Sequence, residues 1–123
     1  MLNRNALMEF AMKMTGAYQE FPFGPQAAVY KVRGKMFALI PIVEEPPSVS
    51  VKCDPVEAIM LREMYKAVIP GYHLSKKHWN TVYVDGEIPD DRILEMIEDS
   101  YLLVRQKLPK KDRQALADME NEN

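Results

Sequence analysis

The residues best equipped for chemistry gather in one stretch, Pro70-Gly71-Tyr72-His73-Leu74-Ser75-Lys76-Lys77-His78-Trp79-Asn80. It holds both histidines and the sole tryptophan of a 123-residue chain, beside two adjacent lysines. No Asp or Glu lies between Glu63 and Asp85 to neutralise them. A cluster of cations and aromatics can contact phosphate, stack on a base or receive an acidic segment. Histidine adds a group that titrates near neutral pH.

Catalytic constellations are harder to assemble. Cys53 and His78 are the types of a nucleophile and its base, but the local signatures of cysteine enzymes are missing. Cys53 also falls on the core side of its strand, where a free thiol is usually inert. His73, His78 and Cys53 would make at most three zinc ligands, with no acidic ligand nearby in sequence. Asp85, Glu87, Asp90 and Asp91 lack the twelve-position pattern of a calcium loop, and helix N-terminal charge explains them better. Arg33-Gly34-Lys35 has one glycine, too few for a phosphate-cradling loop. The expectation is a protein with no catalytic residues, no metal and no cofactor.

The elements that must position the cluster follow from periodicity. Leu7, Phe10, Ala11 and Met14 form one helical stripe, with Asn3 or Asn5 to cap it and Gly16 to end it. Glu20-Phe21-Pro22-Phe23-Gly24-Pro25 is too interrupted to be regular. Strands are expected at 28–32 and 35–40, joined by Arg33-Gly34, and at 48–53. Asp54-Pro55-Val56-Glu57 reads as N-cap, N1 and a capping-box acid. The helix it opens should bury Ile59, Met60, Met64 and Leu61. Another strand is expected at 79–84, with a short extra one around 72–74. A last helix should run from Pro89-Asp90 to Leu108 on the stripe Ile93, Leu94, Ile97, Tyr101, Val104 and Leu108. Six methionines, Met8, Met12, Met14, Met60, Met64 and Met96, fall on these helices and are expected in the core.

The order α-β-β-β-α-β(β)-α with hairpin links implies an α+β two-layer sandwich, an antiparallel sheet with helices on one face. Alternation then sorts the strands. Val49, Val51, Cys53, Val82 and Val84 should meet the helices. Ser48, Ser50, Lys52, Trp79, Thr81 and Tyr83 should lie on the uncovered face. Trp79 and Tyr83 would then form a ligand platform, or else cover a sheet edge or a dimer contact.

Length bounds this to one domain over residues 1–108, with a charged tail at 109–123 expected to fray. The net charge of −2 hides a segregation. Residues 25–84 carry eight Lys/Arg against five Asp/Glu, and residues 85–123 carry six against eleven. One cysteine fits a reducing, cytoplasmic setting. Neither a signal peptide nor a membrane span is expected from the apolar runs.

Phe21-Pro22-Phe23-Gly24, Lys31-Val32-Arg33-Gly34-Lys35-Met36-Phe37-Ala38, Val51-Lys52-Cys53-Asp54-Pro55, the 70–82 run and Asp99-Ser100-Tyr101-Leu102-Leu103-Val104 together resemble the MmcQ/YjbR family of small bacterial proteins. The resemblance covers nearly the whole chain in order. It implies a fold related in shape to secretion chaperones, and DNA binding through a double-wing-like sheet. Glu44-Glu45-Pro46-Pro47 departs from the family pattern by setting two acids beside that wing.

The leading expectation is therefore a non-enzymatic DNA-binding module. Lys31, Arg33, Lys35, Lys52, Lys76 and Lys77 would contact phosphate, with His78 beside them and Trp79 or Tyr83 stacking. The alternative is a binding module for a small anion or an acidic protein partner, using Lys52, Lys77, His78 and Trp79. An enzyme using His78 as acid or base is the remaining class.

Overall fold

The computed structural model describes residues 1–122. Its elements are α1 (Arg4–Met12), β1 (Ala17–Glu20), β2 (Ala27–Val32), β3 (Lys35–Pro41), β4 (Ser48–Lys52), α2 (Pro55–Met64), β5 (Val68–Pro70), β6 (Trp79–Tyr83), α3 (Asp90–Gln106) and α4 (Lys110–Asn121). Every strand pairing is antiparallel, and the six strands are ordered β1-β2-β3-β4-β6-β5. The α+β class and the antiparallel sheet are as the sequence implies.

Local chemistry accounts for the element ends. Asn3 caps α1 by accepting from the Ala6 N–H, and Asp54 caps α2 by accepting from Val56 and Glu57. The β2–β3 hairpin turns on Arg33 and Gly34, both at positive φ (48° and 85°). That pair of signs matches the right-handed strand twist that tight hairpins need.

Register defines the two faces. Gln19, Tyr30, Ala38, Val51, Asn80 and Pro70 form one row across all six strands. On this face Tyr30, Ala38, Val51 and Val82 pack with Leu7 and Ala11 of α1, Leu61 of α2, the α3 stripe and Leu116 of α4. The helices thus share one layer. Glu20, Val29, Leu39, Ser50, Thr81 and Ile69 form the matching row on the opposite, helix-free face.

One hydroxyl joins the layers. Strands β3 and β4 pair only at Ala38↔Val51 and Leu39↔Ser50. Beside that short ladder, the fully buried Ser100 of α3 donates to the Phe37 C=O (2.7 Å) and accepts from the Lys52 N–H (2.8 Å). Phe37, next to the register shift of the β2–β3 pair, meets Tyr101 edge-on at 5.3 Å.

Several expectations are corrected here. Residues 17–20 form an edge strand, and the short extra strand lies at 68–70 rather than 72–74. Within the stretch expected as a tail, Lys110–Asn121 form a helix, α4, which buries Leu116 and makes the ion pairs Arg33–Asp112 (2.9 Å) and Arg105–Glu120 (2.7 Å); residue 123 lies outside the described residues. Gly16, at φ +76°, lets Leu116 approach so closely that a Cβ would sit 2.6 Å from it. Helix α2 buries Ala58 and Leu61, leaving Ile59, Met60 and Met64 exposed. The small Ala58 faces inward, which lets helix and sheet come close enough for Asn80 Nδ2 to donate to its carbonyl (3.2 Å). Of the six methionines expected on helices, Met14 lies past the end of α1 and only Met96 is fully in the core.

Replacing Ser100 with Ala strands a buried acceptor and a part-buried donor at once. Ser100→Ala is expected to lower unfolding free energy by about 1–3 kcal/mol. Urea denaturation checks this, and an unchanged midpoint would show that the bridge contributes nothing.

Candidate functional site

Residues 71–78, between β5 and β6, decide what the helix-free face can do. The segment folds back over the sheet, starting at Gly71, whose N–H donates to the Trp79 C=O (2.8 Å). A Cβ on Gly71 would lie 2.7 Å from the Trp79 Cβ, so only glycine fits without a shift. Next, the Tyr72 N–H donates to Thr81 Oγ1 (3.2 Å), and that hydroxyl bonds Ser50 Oγ (2.8 Å) across β4 and β6. The two hydroxyls satisfy each other where water is excluded.

The expected exposed platform is corrected accordingly. Trp79 is only 9% exposed, and Ser48, Ser50 and Thr81 are buried. Alternation assigned these side chains to the correct face, but the 71–78 segment covers it. Trp79 therefore offers no open ring for stacking, while Tyr83 and Lys52 are half-buried.

The expected basic residues divide into two groups. Lys31 Nζ pairs with Glu20 (2.8 Å), and this hydrogen bond raises its pKa. Arg33 pairs with Asp112. Lys35, Lys52, Lys76 and Lys77 meet no carboxylate in an ion pair among the described residues. Register sets Lys52 opposite Trp79, and Lys76 and Lys77 lie exposed just before that strand. Lys31 lies on β2, with β3 between it and Lys52. The fit to a continuous basic stripe is broken by Glu20 and Asp112.

His78 is half-buried and joined to Cys53 through backbone: the Cys53 N–H donates to the His78 C=O (2.7 Å). The Cys53 thiol instead receives a long contact from Asn80 Nδ2 (3.8 Å). Burial, then the nearby Glu57 and Asp99 carboxylates, push its pKa from 9.0 to about 11. This is the reverse of an activated nucleophile. Among the described residues no three His, Cys, Asp or Glu side chains are placed to hold a metal ion. No helix among them is long and apolar enough to cross a membrane.

What the fold leaves open is a groove beside the covering segment, of about 450 Å³. Its floor is Ala27, Leu39 and Pro41 of the sheet; its walls are Phe23 and Gln26 on one side and Tyr72, His73 and Leu74 on the other, with Val43 and Glu44 at one end. Phe23, Val43 and Tyr72 are exposed apolar groups. Gln26 is oriented by donating its Nε2 to the Phe23 C=O (2.8 Å), which leaves its side-chain oxygen as an acceptor. His73 sits at φ +60°, in the left-handed region, with its ring 4.0 Å from that of Tyr72. Arg4 fixes the end loop by donating to the Pro41 and Glu44 carbonyls and pairing with Glu45 (3.2 Å). Of the two acids in this loop, Glu44 lines the groove and Glu45 is held by Arg4.

Sequence reasoning missed this site. Its one local signal was the aromatic, proline-broken run at 21–25, which resists burial in a regular element; the remaining walls come from distant loops.

Comparison with known proteins places the chain in context. The model of the YjbR family matches residues 12–103. The uncharacterised protein YjbR of Escherichia coli K12 is 36% identical over 113 residues, 92% of this chain and 96% of that protein. Uncharacterised YbdF of E. coli O157:H7 is 38% identical over 76% of each chain. Among solved structures, a Deinococcus radiodurans protein described by the domain designation DUF419 superposes with a TM-score of 0.87. It shares 35% identity and the match covers 92% of this chain and 86% of that one. A Pseudomonas syringae protein follows at TM-score 0.71 and 27% identity, over 83% of this chain and 98% of the other.

The depressed reactivity of Cys53 is checkable by alkylation rates against pH. In the folded protein the rate should keep rising towards about pH 11, whereas in urea it should level off near 9.0. A folded-state plateau near 9.0 would contradict the burial of the thiol.

Proposed function

The chain belongs to the YjbR family, and we propose that it is a non-enzymatic binding module whose groove on the helix-free sheet face takes a small, mostly apolar ligand. The observation that carries this is the groove itself: about 450 Å³, walled by Phe23, Tyr72 and Leu74 over a floor of Leu39 and Pro41. That size and lining suit a ring-containing molecule, with a few polar groups to orient it. Those groups are the Gln26 oxygen, Glu44 and His73. Both the carboxylate and the amide oxygen accept hydrogen bonds, so the ligand should offer a donor rather than an anion. This moves the preferred ligand away from the small anion that the lysines alone suggest.

The probe 2-naphthol combines an apolar ring system with one hydroxyl donor. Titrated into methyl-labelled protein, it is expected to shift the Leu39, Val43 and Leu74 signals saturably. Val43→Asp puts a charge into the apolar end at an exposed position and should weaken binding by about tenfold. Shifts confined to residues outside the groove would remove this reading.

DNA binding is a second reading, favoured by one observation: Lys35, Lys52, Lys76 and Lys77 have no carboxylate partner among the described residues. Phosphate contact by these four would make affinity fall steeply with salt. Fluorescence anisotropy of a labelled duplex should then rise at low salt and lose that rise in a Lys76→Ala/Lys77→Ala variant. A flat signal at low salt would end the DNA reading and leave the groove reading untouched.

A further inference from the structure

Helix α2 presents an apolar ridge to solvent. Val56 is 67% exposed, Ile59 52%, Met60 55% and Met64 61%, while Ala58 and Leu61 fill the core side. Spacings of three, four and eight residues put the four exposed groups on one stripe along two turns. Soluble surfaces rarely leave so many large apolar side chains in a row without a partner.

Glu57, one turn before Met60 on the same helix, also lines a second groove of about 640 Å³. Asp54 and Glu57 line it at the α2 start, Asp99, Leu102, Leu103, Arg105 and Gln106 line it from α3, and Arg113 lines it from α4. Leu102 is itself an exposed large apolar group. The groove thus sets two leucines among three acids and two arginines, of which Arg105 is paired with Glu120.

Charge decides what can cover it. Arg92 alone answers three carboxylates: Glu57 (4.0 Å), Asp99 (3.9 Å) and Glu95. Burial, followed by repulsion from Glu95, raises the Asp99 pKa, with Glu98 adding to it and Arg92 opposing. Among the described residues no other arginine pairs with these three carboxylates. Arg62 donates to the Ala58 and Lys76 carbonyls, Arg105 holds Glu120, and Arg113 donates to the Leu108 carbonyl. Glu63 and Glu98 add exposed negative charge beside the ridge.

We propose that the outer face of α2, with the groove it forms against α3 and α4, docks a basic amphipathic helix of a partner protein. The apolar side of that helix lies on Ile59, Met60 and Met64, and its Lys or Arg residues supply the cations that Glu57, Glu95 and Asp99 share through one arginine. Helix-in-groove recognition uses anchors at this spacing, and methionine adapts its shape to an incoming side chain. A second copy of the chain is a poor occupant, because a two-fold contact would set the acidic surplus against itself. An anionic membrane surface is disfavoured for the same reason.

The test uses the full chain with 13C-labelled methionine methyls and two synthetic peptides of the same amphipathic pattern, one of Leu and Lys, one of Leu and Glu. The Leu/Lys peptide should shift the Met60 and Met64 signals saturably and leave Met12 and Met119 in place. Affinity should fall by about tenfold or more in Ile59→Ser/Met60→Ser. Glu57→Gln, which keeps the helix cap, should weaken binding several-fold and flatten its salt dependence. Equal binding of the Leu/Glu peptide, or shifts spread evenly over all exposed methionines, would overturn the proposal. So would Met60 and Met64 shifts that depend on protein concentration without peptide, which would assign the ridge to self-association.

Discussion

Everything in this fold hangs on how the hydroxyl of Ser100 completes a sheet that does not close by itself. Strands β3 and β4 share two register positions, and the Phe37 carbonyl and Lys52 amide at the ladder's end both go to one side chain of α3. A buried polar backbone group without a partner is costly, so the sheet and α3 must form together. Around that joint Tyr101 packs on Phe37 and donates to the Thr15 carbonyl (2.6 Å), tying the end of α1 to the same helix. Arg105, one turn on, holds Glu120 and so anchors α4. These attachments hold α1, α3 and α4 on one side, and the bond from Asn80 to the Ala58 carbonyl holds α2 there.

The other side has no helix to cover it, and the chain seals it with loops. The 71–78 segment covers the Ser50–Thr81 pair and Trp79, but its reach ends near Leu39. The turn around Phe23 closes from the other flank, and the gap between them is the groove. A ligand site here is a consequence of incomplete coverage, with aromatic and aliphatic groups lining what the loops leave bare. The lysines that first draw attention lie at the edge of this cover, with their charges outward. The helical layer has its own unfinished surface, where α2 turns four large apolar groups outward and its Glu57 lines a groove shared with α3 and α4.

Legibility in the sequence followed the range of the interaction. Asn3, Asp54-Pro55 and Arg33-Gly34 act within a turn, and each did what its type suggests. The α3 stripe was readable for the same reason, since 3.6-residue periodicity is local. Strand β1 was not, because Ala17-Tyr18-Gln19-Glu20 has no alternation of its own and forms by pairing with the free edge of β2. In α2 hydrophobicity pointed the wrong way: the small Ala58 packs inward, where Asn80 bonds its carbonyl, and the larger Ile59 and Met60 are left outside. Helix α4 looked like a charged tail, yet its charges are what dock it, with Asp112 on Arg33 and Glu120 on Arg105. The groove was the least legible part, because its floor and walls come from two strands and three loops.

A crystallographic fragment screen tests the central claim most directly, since it reports where small molecules settle without presuming which ones. Density for ring-containing fragments between Phe23, Leu39, Val43 and Leu74 is the predicted result, with a hydroxyl or amine directed at Glu44 or Gln26. Fragments that leave this groove empty and collect elsewhere would contradict it, and the helix-free face would then be only a surface that the loops leave partly uncovered.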